Sequence, residues 1–256
     1  MGEAAPRAAQ EADILRQGID LGMTLIDTAE MYGQGGAERV VAKAIVGRRD
    51  KVFLVSKILP QNASAAATPR HCEASLKRLG TDVIDLYLLH WPGPHPLAET
   101  VAAFERLREA GKIRHWGVSN FDTDDMRQLV KHAGGANCAT NQVLYHPGER
   151  GAAFDLLPWC RTRRLPVMAY SPLGQGGRLL QSAALRAVGQ RHGKSAAQVA
   201  LAWALRDGNM IVIPKAANAA HLHENAAAAF ELTAADVAEI DALHPPPDRK
   251  HALAML

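Results

Sequence analysis

Val52-Phe53-Leu54-Val55-Ser56-Lys57, followed by a helical pattern at Pro69–Leu79, is the unit whose repetition decides the fold. A continuous apolar run, with no polar alternation, reads as a strand covered on both faces, the condition of a parallel sheet. The pairing recurs to either side: Thr24–Asp27 with Glu38–Val46 before it, Val83–His90 with Leu97–Ala110 after it. Further on come Ile113–Ser119 with Thr123–His132, and Thr140–Tyr145 with Phe154–Arg164. Pro166–Tyr170 precedes helices at Gln181–Arg191 and Ser195–Arg206, and Met210–Pro214 precedes His221–Ala229. A helical stripe over residues 5–21 opens the chain, and a helix over Ala234–Leu243 stops before Pro245-Pro246-Pro247. Strand–helix repetition with right-handed crossovers leaves a doubly wound sheet or a closed barrel. No G-x-G-x-x-G follows an early strand, so the expected fold class is α/β, a TIM-type (β/α)8 barrel. Only seven strands are found, so the barrel is expected to be incomplete, with its first strand missing. The Pro/Gly clusters at Trp91–Pro96 and Pro172–Gly177 are loop-sized, and nothing resembles a linker; residues 1–256 are expected to form a single β/α barrel domain.

Local chemistry supports these elements. Leu97, Val101, Phe104 and Leu107 share one helical face, with Gly111 just past its end. Ser195 with Gln198 spells a capping box, and Thr233 with Asp236 a similar start signal.

Composition narrows the function classes. Hydrophobic residues are 48% and charged residues 21%, ordinary for a globular protein. The net charge of +3 is modest and the eleven histidines are scattered. Arg161–Arg164 is one helix end rather than a nucleic-acid stripe, so no nucleic-acid partner is expected. Cys72, Cys138 and Cys160 form no CxxC, an odd, sparse set that suits a reducing compartment. With no signal peptide and no 18-residue apolar run, the expectation is a cytoplasmic protein that needs no membrane, and a monomer. His192, His221 and His223 lack carboxylates at ligand spacing, so no metal is expected.

The apolar runs end on Asp27, Lys57, His90, Asn120, Gln142, Tyr170 and Lys215. In a parallel barrel, side chains at the carboxyl ends of the strands converge on one mouth. Taken singly, each has a plain structural reading: Asp27 a turn cap, Tyr32 a packed loop aromatic, Lys57 a solvated strand end, His90 a core imidazole. Together they form a proton-transfer set, because an ammonium beside a phenol favours the phenolate and a carboxylate keeps the ammonium oriented.

The chain resembles the aldo-keto reductases, NADPH-dependent barrel enzymes with an Asp, Tyr, Lys and His tetrad, from about Leu15 to the last helix. The resemblance implies that Tyr32 is the general acid, Lys57 its pKa-lowering partner, Asp27 the anchor of Lys57 and His90 the group that orients the carbonyl. Trp91 would line the substrate pocket. Gly117-Val118-Ser119-Asn120-Phe121 is similar to the family's G-V-S-N-F, where Ser119 and Asn120 would bind the nicotinamide carboxamide, joined by Gln142 of Asn141-Gln142. Ala169-Tyr170-Ser171-Pro172-Leu173-Gly174 is similar to A-Y-S-P-L-G: Tyr170 would stack on the nicotinamide, and the backbone of Ser171, Pro172, Leu173 and Gly174 would approach the pyrophosphate. Ile213, Pro214, Lys215, Ala216, Asn218, His221, Glu224 and Asn225 fall in the segment that would hold the adenosine end.

Two departures from the family pattern stand out. The family opens with a hairpin and a first strand carrying G-x-G-T, whereas this chain starts past it at Met1-Gly2-Glu3, as a shortened form would. Around the 2′-phosphate, Ala216 stands for a Ser or Thr and His221 for an Arg. NADPH is expected to be preferred through Lys215, by a smaller margin than with the full set, with NADH tolerated. Short loops after His90 and Tyr170 suit an open mouth, as in the small bacterial branch. The expected activity is reduction of small aldehydes and ketones, 2-oxoaldehydes such as methylglyoxal or keto-sugar acids. The alternative is a non-catalytic barrel that binds NADPH as a cofactor sensor.

Overall fold

The computed structural model describes residues 1–256, the side chain of Ala5 excepted. The chain divides into two compact units, Met1–Ala139 and Thr140–Leu256.

In the first unit α1 (Ala8–Asp20) leads to β1 (Leu25–Asp27), α2 (Gly36–Ile45), β2 (Phe53–Ile58) and α3 (Ala67–Leu79). Then follow β3 (Ile84–Leu89), α4 (Leu97–Glu109), β4 (Ile113–Ser119) and α5 (Thr123–Leu129). The strands pair in parallel in the order β1-β2-β3-β4, with Asp27 opposite Val55, Lys57 opposite Leu88 and Leu89 opposite Val118. Parallel pairing of successive strands brings their carboxyl ends to one edge of the ladder. Every residue of β3 is buried, and the predicted face of α4 buries Val101, Phe104 and Leu107. Fully buried Leu54, Ile58, Ile84 and Leu88 each contribute roughly 1.5–3 kcal/mol of apolar burial. At the amino ends of the strands, buried Asp85 is held by Arg49 (2.7 Å), Arg114 (3.1 Å) and the backbone N–H of Leu54 (2.8 Å).

The second unit holds β5 (Asn141–Leu144), α6 (Leu156–Thr162), β6 (Val167–Tyr170), α7 (Ala183–His192) and α8 (Ala196–Leu205). It ends with β7 (Met210–Ile213), α9 (Ala219–Ala226) and α10 (Ala234–Leu243). β5, β6 and β7 are parallel neighbours, with Leu144 opposite Tyr170 and Tyr170 opposite Ile213. Trp203 on α8 is the centre of packing: Tyr145 stacks on it at 5.3 Å, and the Arg150 and Arg206 guanidinium carbons lie 4.8 and 3.9 Å from its ring. Both capping boxes read from the sequence are formed, Ser195 with Gln198 and Thr233 with Asp236; a third, Asp122 with Asp125, starts α5.

Four expectations need correction. The helix after β4 ends at Leu129 rather than His132, because the chain turns back so closely that a Cβ on Gly135 would meet the Leu129 carbonyl oxygen at 2.0 Å. The helix expected from Phe154 starts at Leu156, which leaves Pro158 in its first turn, where its missing N–H costs nothing. Ile211-Val212-Ile213 is a continuous apolar run like Val52–Val55 and reads as covered on both faces, yet all of β7 is half-buried. That strand ends the strand order and pairs only with β6, so its other edge has no strand partner among the described residues. Gln142, read as a strand end, is the second residue of β5.

Candidate active site

Asp27 is the last residue of β1 and Lys57 the penultimate residue of β2, so the ladder sets the two side by side at the carboxyl edge. Lys57 has no exposed side-chain surface. Its Nζ donates to Asp27 Oδ2 at 2.5 Å and to the Thr28 carbonyl at 3.0 Å. A buried ammonium is tolerated only when paired and hydrogen-bonded, and both conditions hold. The solvated reading of Lys57 therefore fails.

Tyr32 opens a tight turn, Tyr32–Gly35, in which Gly33, Gln34 and Gly35 all have positive φ (56°, 53° and 80°). Two glycines make that left-handed run affordable, and a Cβ on Gly35 would also strike Arg78 at 2.5 Å. Arg78 Nε in turn donates to buried Glu38, which also accepts from Ser56, the residue before Lys57. Lys57 Nζ lies 5.1 Å from the centre of the Tyr32 ring. His90 follows β3 directly; its ring meets Tyr32 edge-on at 5.6 Å and Trp91 at 4.8 Å.

Burial, and then the Lys57 charge, push the His90 imidazole from the usual 6.5 down to about 3, so it is neutral near pH 7. Its Nδ1 is buried and has no hydrogen-bond partner among the described residues. Placing the proton on Nε2 avoids burying an unpaired N–H. Asn120, at φ 60°, donates from Nδ2 to the His90 carbonyl at 3.1 Å and to Ser119 Oγ at 3.2 Å. The first unit thus gathers Asp27, Tyr32, Lys57, His90 and Trp91, with Ser119 and Asn120 attached through the His90 backbone.

In the second unit Gln142 is buried, with its Nε2 3.8 Å from Met168 Sδ. Tyr170 closes β6, and Ser171 and Gly174 turn the following chain through positive φ (47° and 56°). Pro172 is buried, and Leu173 and Gly174 are half-buried. Ile213 ends β7 and Pro214 leads to exposed Lys215 and buried Ala216. Asn218 caps α9 by accepting from the His221 N–H (2.9 Å), while the His221 side chain is exposed. Glu224 and Asn225 are half-buried on α9, which Gln198 holds through the carbonyls of Glu224 and Ala227. Glu30, Glu38, Ser56 and Arg78 escaped the sequence reading, because their partners lie 18–41 residues away and follow no period. Among the described residues no group of three or more His, Cys, Asp or Glu side chains is placed to hold a metal ion, and no helix is long and apolar enough to cross a membrane.

Residues 2–245 match the model of the aldo/keto reductase family, and the chain belongs to that family. It is 54% identical over 261 residues to the methylglyoxal reductase YeaE of Escherichia coli (strain K12), covering 100% of this chain and 92% of that protein. It is 36% identical over 236 residues to the glyoxal reductase of Bacillus subtilis (strain 168), covering 92% and 84%. Among solved structures, an aldo/keto reductase from Klebsiella pneumoniae in complex with NADP and acetate matches with a TM-score of 0.98 and 52% identity, over 100% of this chain and 92% of that one. The α/β class and the (β/α)8-type fold expected from the sequence are those of this family, and the protein is an oxidoreductase of the aldo-keto reductase kind.

Proposed function

We propose that this chain reduces small carbonyl compounds, 2-oxoaldehydes such as methylglyoxal foremost, with NADPH as cofactor and Tyr32 as the proton donor. The observation that carries the reading is the fully buried Lys57 ammonium, pinned by Asp27 and set 5.1 Å from the Tyr32 ring, with neutral His90 against the ring edge. Relatives named for methylglyoxal and glyoxal reduction, and a neighbour holding NADP, support the substrate class and the cofactor.

The residues present fit such a cofactor. Ser171 and Gly174, both at positive φ, turn the chain twice just past β6, which would leave backbone of this loop free to approach a pyrophosphate. Exposed Lys215 offers a point charge to a 2′-phosphate, and Ile213, Pro214, Ala216, Asn218, His221, Glu224 and Asn225 surround it in sequence for the adenosine end. Ser119, Asn120 and Gln142 offer hydroxyl and amide groups to a carboxamide, and Tyr170 a ring to stack on. When bound, NADPH supplies a hydride to the carbonyl carbon.

The remaining work falls to the tetrad and Trp91. Trp91, packed on His90, walls the substrate side. His90 donates from Nε2 to the carbonyl oxygen and, being neutral, orients it without adding charge. As negative charge develops on that oxygen, the Tyr32 phenol delivers a proton. The charge left on the phenolate is stabilised by Lys57, whose own proton Asp27 and the Thr28 carbonyl retain.

Methylglyoxal-dependent oxidation of NADPH tests this reading. Tyr32→Phe should lower kcat by about 10²–10⁴-fold while NADPH binding, followed by fluorescence, changes less than about twofold. Wild-type turnover by the phenylalanine variant removes Tyr32 as the acid. A wild type that binds NADPH and reduces no aldehyde of a small panel removes the reductase reading.

A further inference from the structure

Glu30 stands between the two acid–base residues of its segment, three positions after Asp27 and two before Tyr32. Its carboxylate is turned inward, with 7% of the side chain exposed. Oε1 accepts from the Leu59 backbone N–H at 2.8 Å and from Asn62 Nδ2 at 3.0 Å. Oε2 lies 2.9 Å from His71 Nδ1, on α3. The Glu30 backbone N–H donates to the Lys57 carbonyl at 3.2 Å. One residue therefore grips the exit of β2 on both sides of Ile58, at Lys57 and at Leu59.

From these contacts we infer that Glu30 is a positioning residue, which fixes the Tyr32 turn on the outgoing end of β2 and so sets the phenol against Lys57. The inference rests on the role proposed above for Tyr32. A buried, hydrogen-bonded carboxylate is a poor stabiliser compared with apolar packing of the same volume. What it supplies is geometry: two oxygens in fixed directions, each with a named partner on a different segment. The Tyr32 backbone N–H is tied to the Ala29 carbonyl at 3.2 Å, so a turn released at Glu30 would carry Tyr32 with it. Proton transfer is sensitive to such movement, since a displacement of about 1 Å can cost about a hundredfold in rate.

The test compares Glu30→Ala, Glu30→Gln and Asn62→Ala with wild type in kcat, KM, NADPH affinity by fluorescence, and the solvent deuterium isotope effect on kcat. Glu30→Ala should lower kcat about 10- to 100-fold, leave NADPH affinity within about twofold, and enlarge the isotope effect as proton delivery becomes limiting. Glu30→Gln, which keeps an oxygen for Leu59, should stay within about threefold of wild type. Asn62→Ala removes one arm without stranding the charge, and should lower kcat about threefold with the same sign of isotope effect. If Glu30→Ala does not fold, Asn62→Ala decides, and wild-type kcat with an unchanged isotope effect there overturns the inference. A folded Glu30→Ala enzyme with wild-type kcat, or one that loses cofactor affinity in step with kcat, overturns it as well. Fully active Glu30→Ala beside inert Tyr32→Phe discards Glu30 and keeps the proposed acid; active Tyr32→Phe discards both.

Discussion

With no surface of its own, the Lys57 ammonium depends for solvation on Asp27 and the Thr28 carbonyl, and its remaining reach is toward the Tyr32 ring. Losing one partner of such a pair leaves a buried charge uncompensated, which is far more costly than the pair is favourable. The opposite regime applies to Lys215, which is exposed and therefore cheap to replace. Its neighbours cannot take over: Ala216 is buried and apolar, and His221 has Asn218 at 3.3 Å from its Nδ1. Lys215→Met should then raise KM for NADPH roughly tenfold or more, the loss of one charge-assisted contact, and leave KM for NADH within about twofold. Steady-state kinetics with both cofactors checks this, and equal effects on the two would remove Lys215 as the 2′-phosphate contact.

At the scale of elements, helix ends explain boundaries that hydrophobic periodicity blurs. α10 starts where Thr233 Oγ1 accepts from the Asp236 N–H (3.1 Å) and Asp236 returns a bond to the Thr233 N–H (2.9 Å). Asp236 also takes Arg191 (2.7 Å) and His192 (2.8 Å) from α7, so one carboxylate both caps α10 and ties two helices. Burial alone would raise the Asp236 carboxyl, but the hydrogen bonds from Arg191, Thr233 and His192 outweigh it and hold the group well below the carboxylate range. Thr233→Ala removes the cap while leaving the ion pairs, and should cost about 1 kcal/mol in urea unfolding, within 0.5–2. A change near zero would mean that the α7 contacts alone fix the start of α10.

For the whole molecule, buried titratable groups set a stability window in pH. His90 titrates at about 3 when folded and near 6.5 when unfolded, so below pH 6.5 the unfolded chain takes up a proton that the folded one refuses. Stability from this group is fully present above pH 6.5 and is lost as pH falls toward 3. One such imidazole costs about 2 kcal/mol between pH 7 and 5. His146 and His244 act with the same sign: burial lowers both, outweighing the opposing Glu149 charge at His146 and reinforced by Arg150 at His244. At the alkaline end burial pushes the Cys72 and Cys160 thiols up to about 12, so the unfolded chain ionises first and stability falls as pH rises above about 9. Urea unfolding from about pH 4.5 to about pH 10 should trace a dome, with the acid limb flatter in His90→Asn. A stability that rises on acidification from pH 7 to 5 would contradict the neutral buried imidazole.

Regular alternation of apolar runs and helical patterns, together with cap residues such as Ser195 and Thr233, determined the order and type of the elements from the sequence alone. The residue types at and just after the carboxyl ends of those runs marked the candidate site as well, since Asp27, Tyr32, Lys57 and His90 are legible wherever strands are parallel and consecutive. Tertiary structure decided what depends on neighbours distant in the chain. It buried Lys57 completely, left β7 half-covered, moved Gln142 inside its strand, and stopped α5 where Gly135 folds against Leu129. It also recruited Glu30, Glu38 and Arg78 around the Tyr32 turn through bonds spanning 18–41 residues. Periodicity and capping are local, so they are written in consecutive residues; burial and buried polar partnerships are set by which segments pack together, and no stretch of sequence read alone contains them.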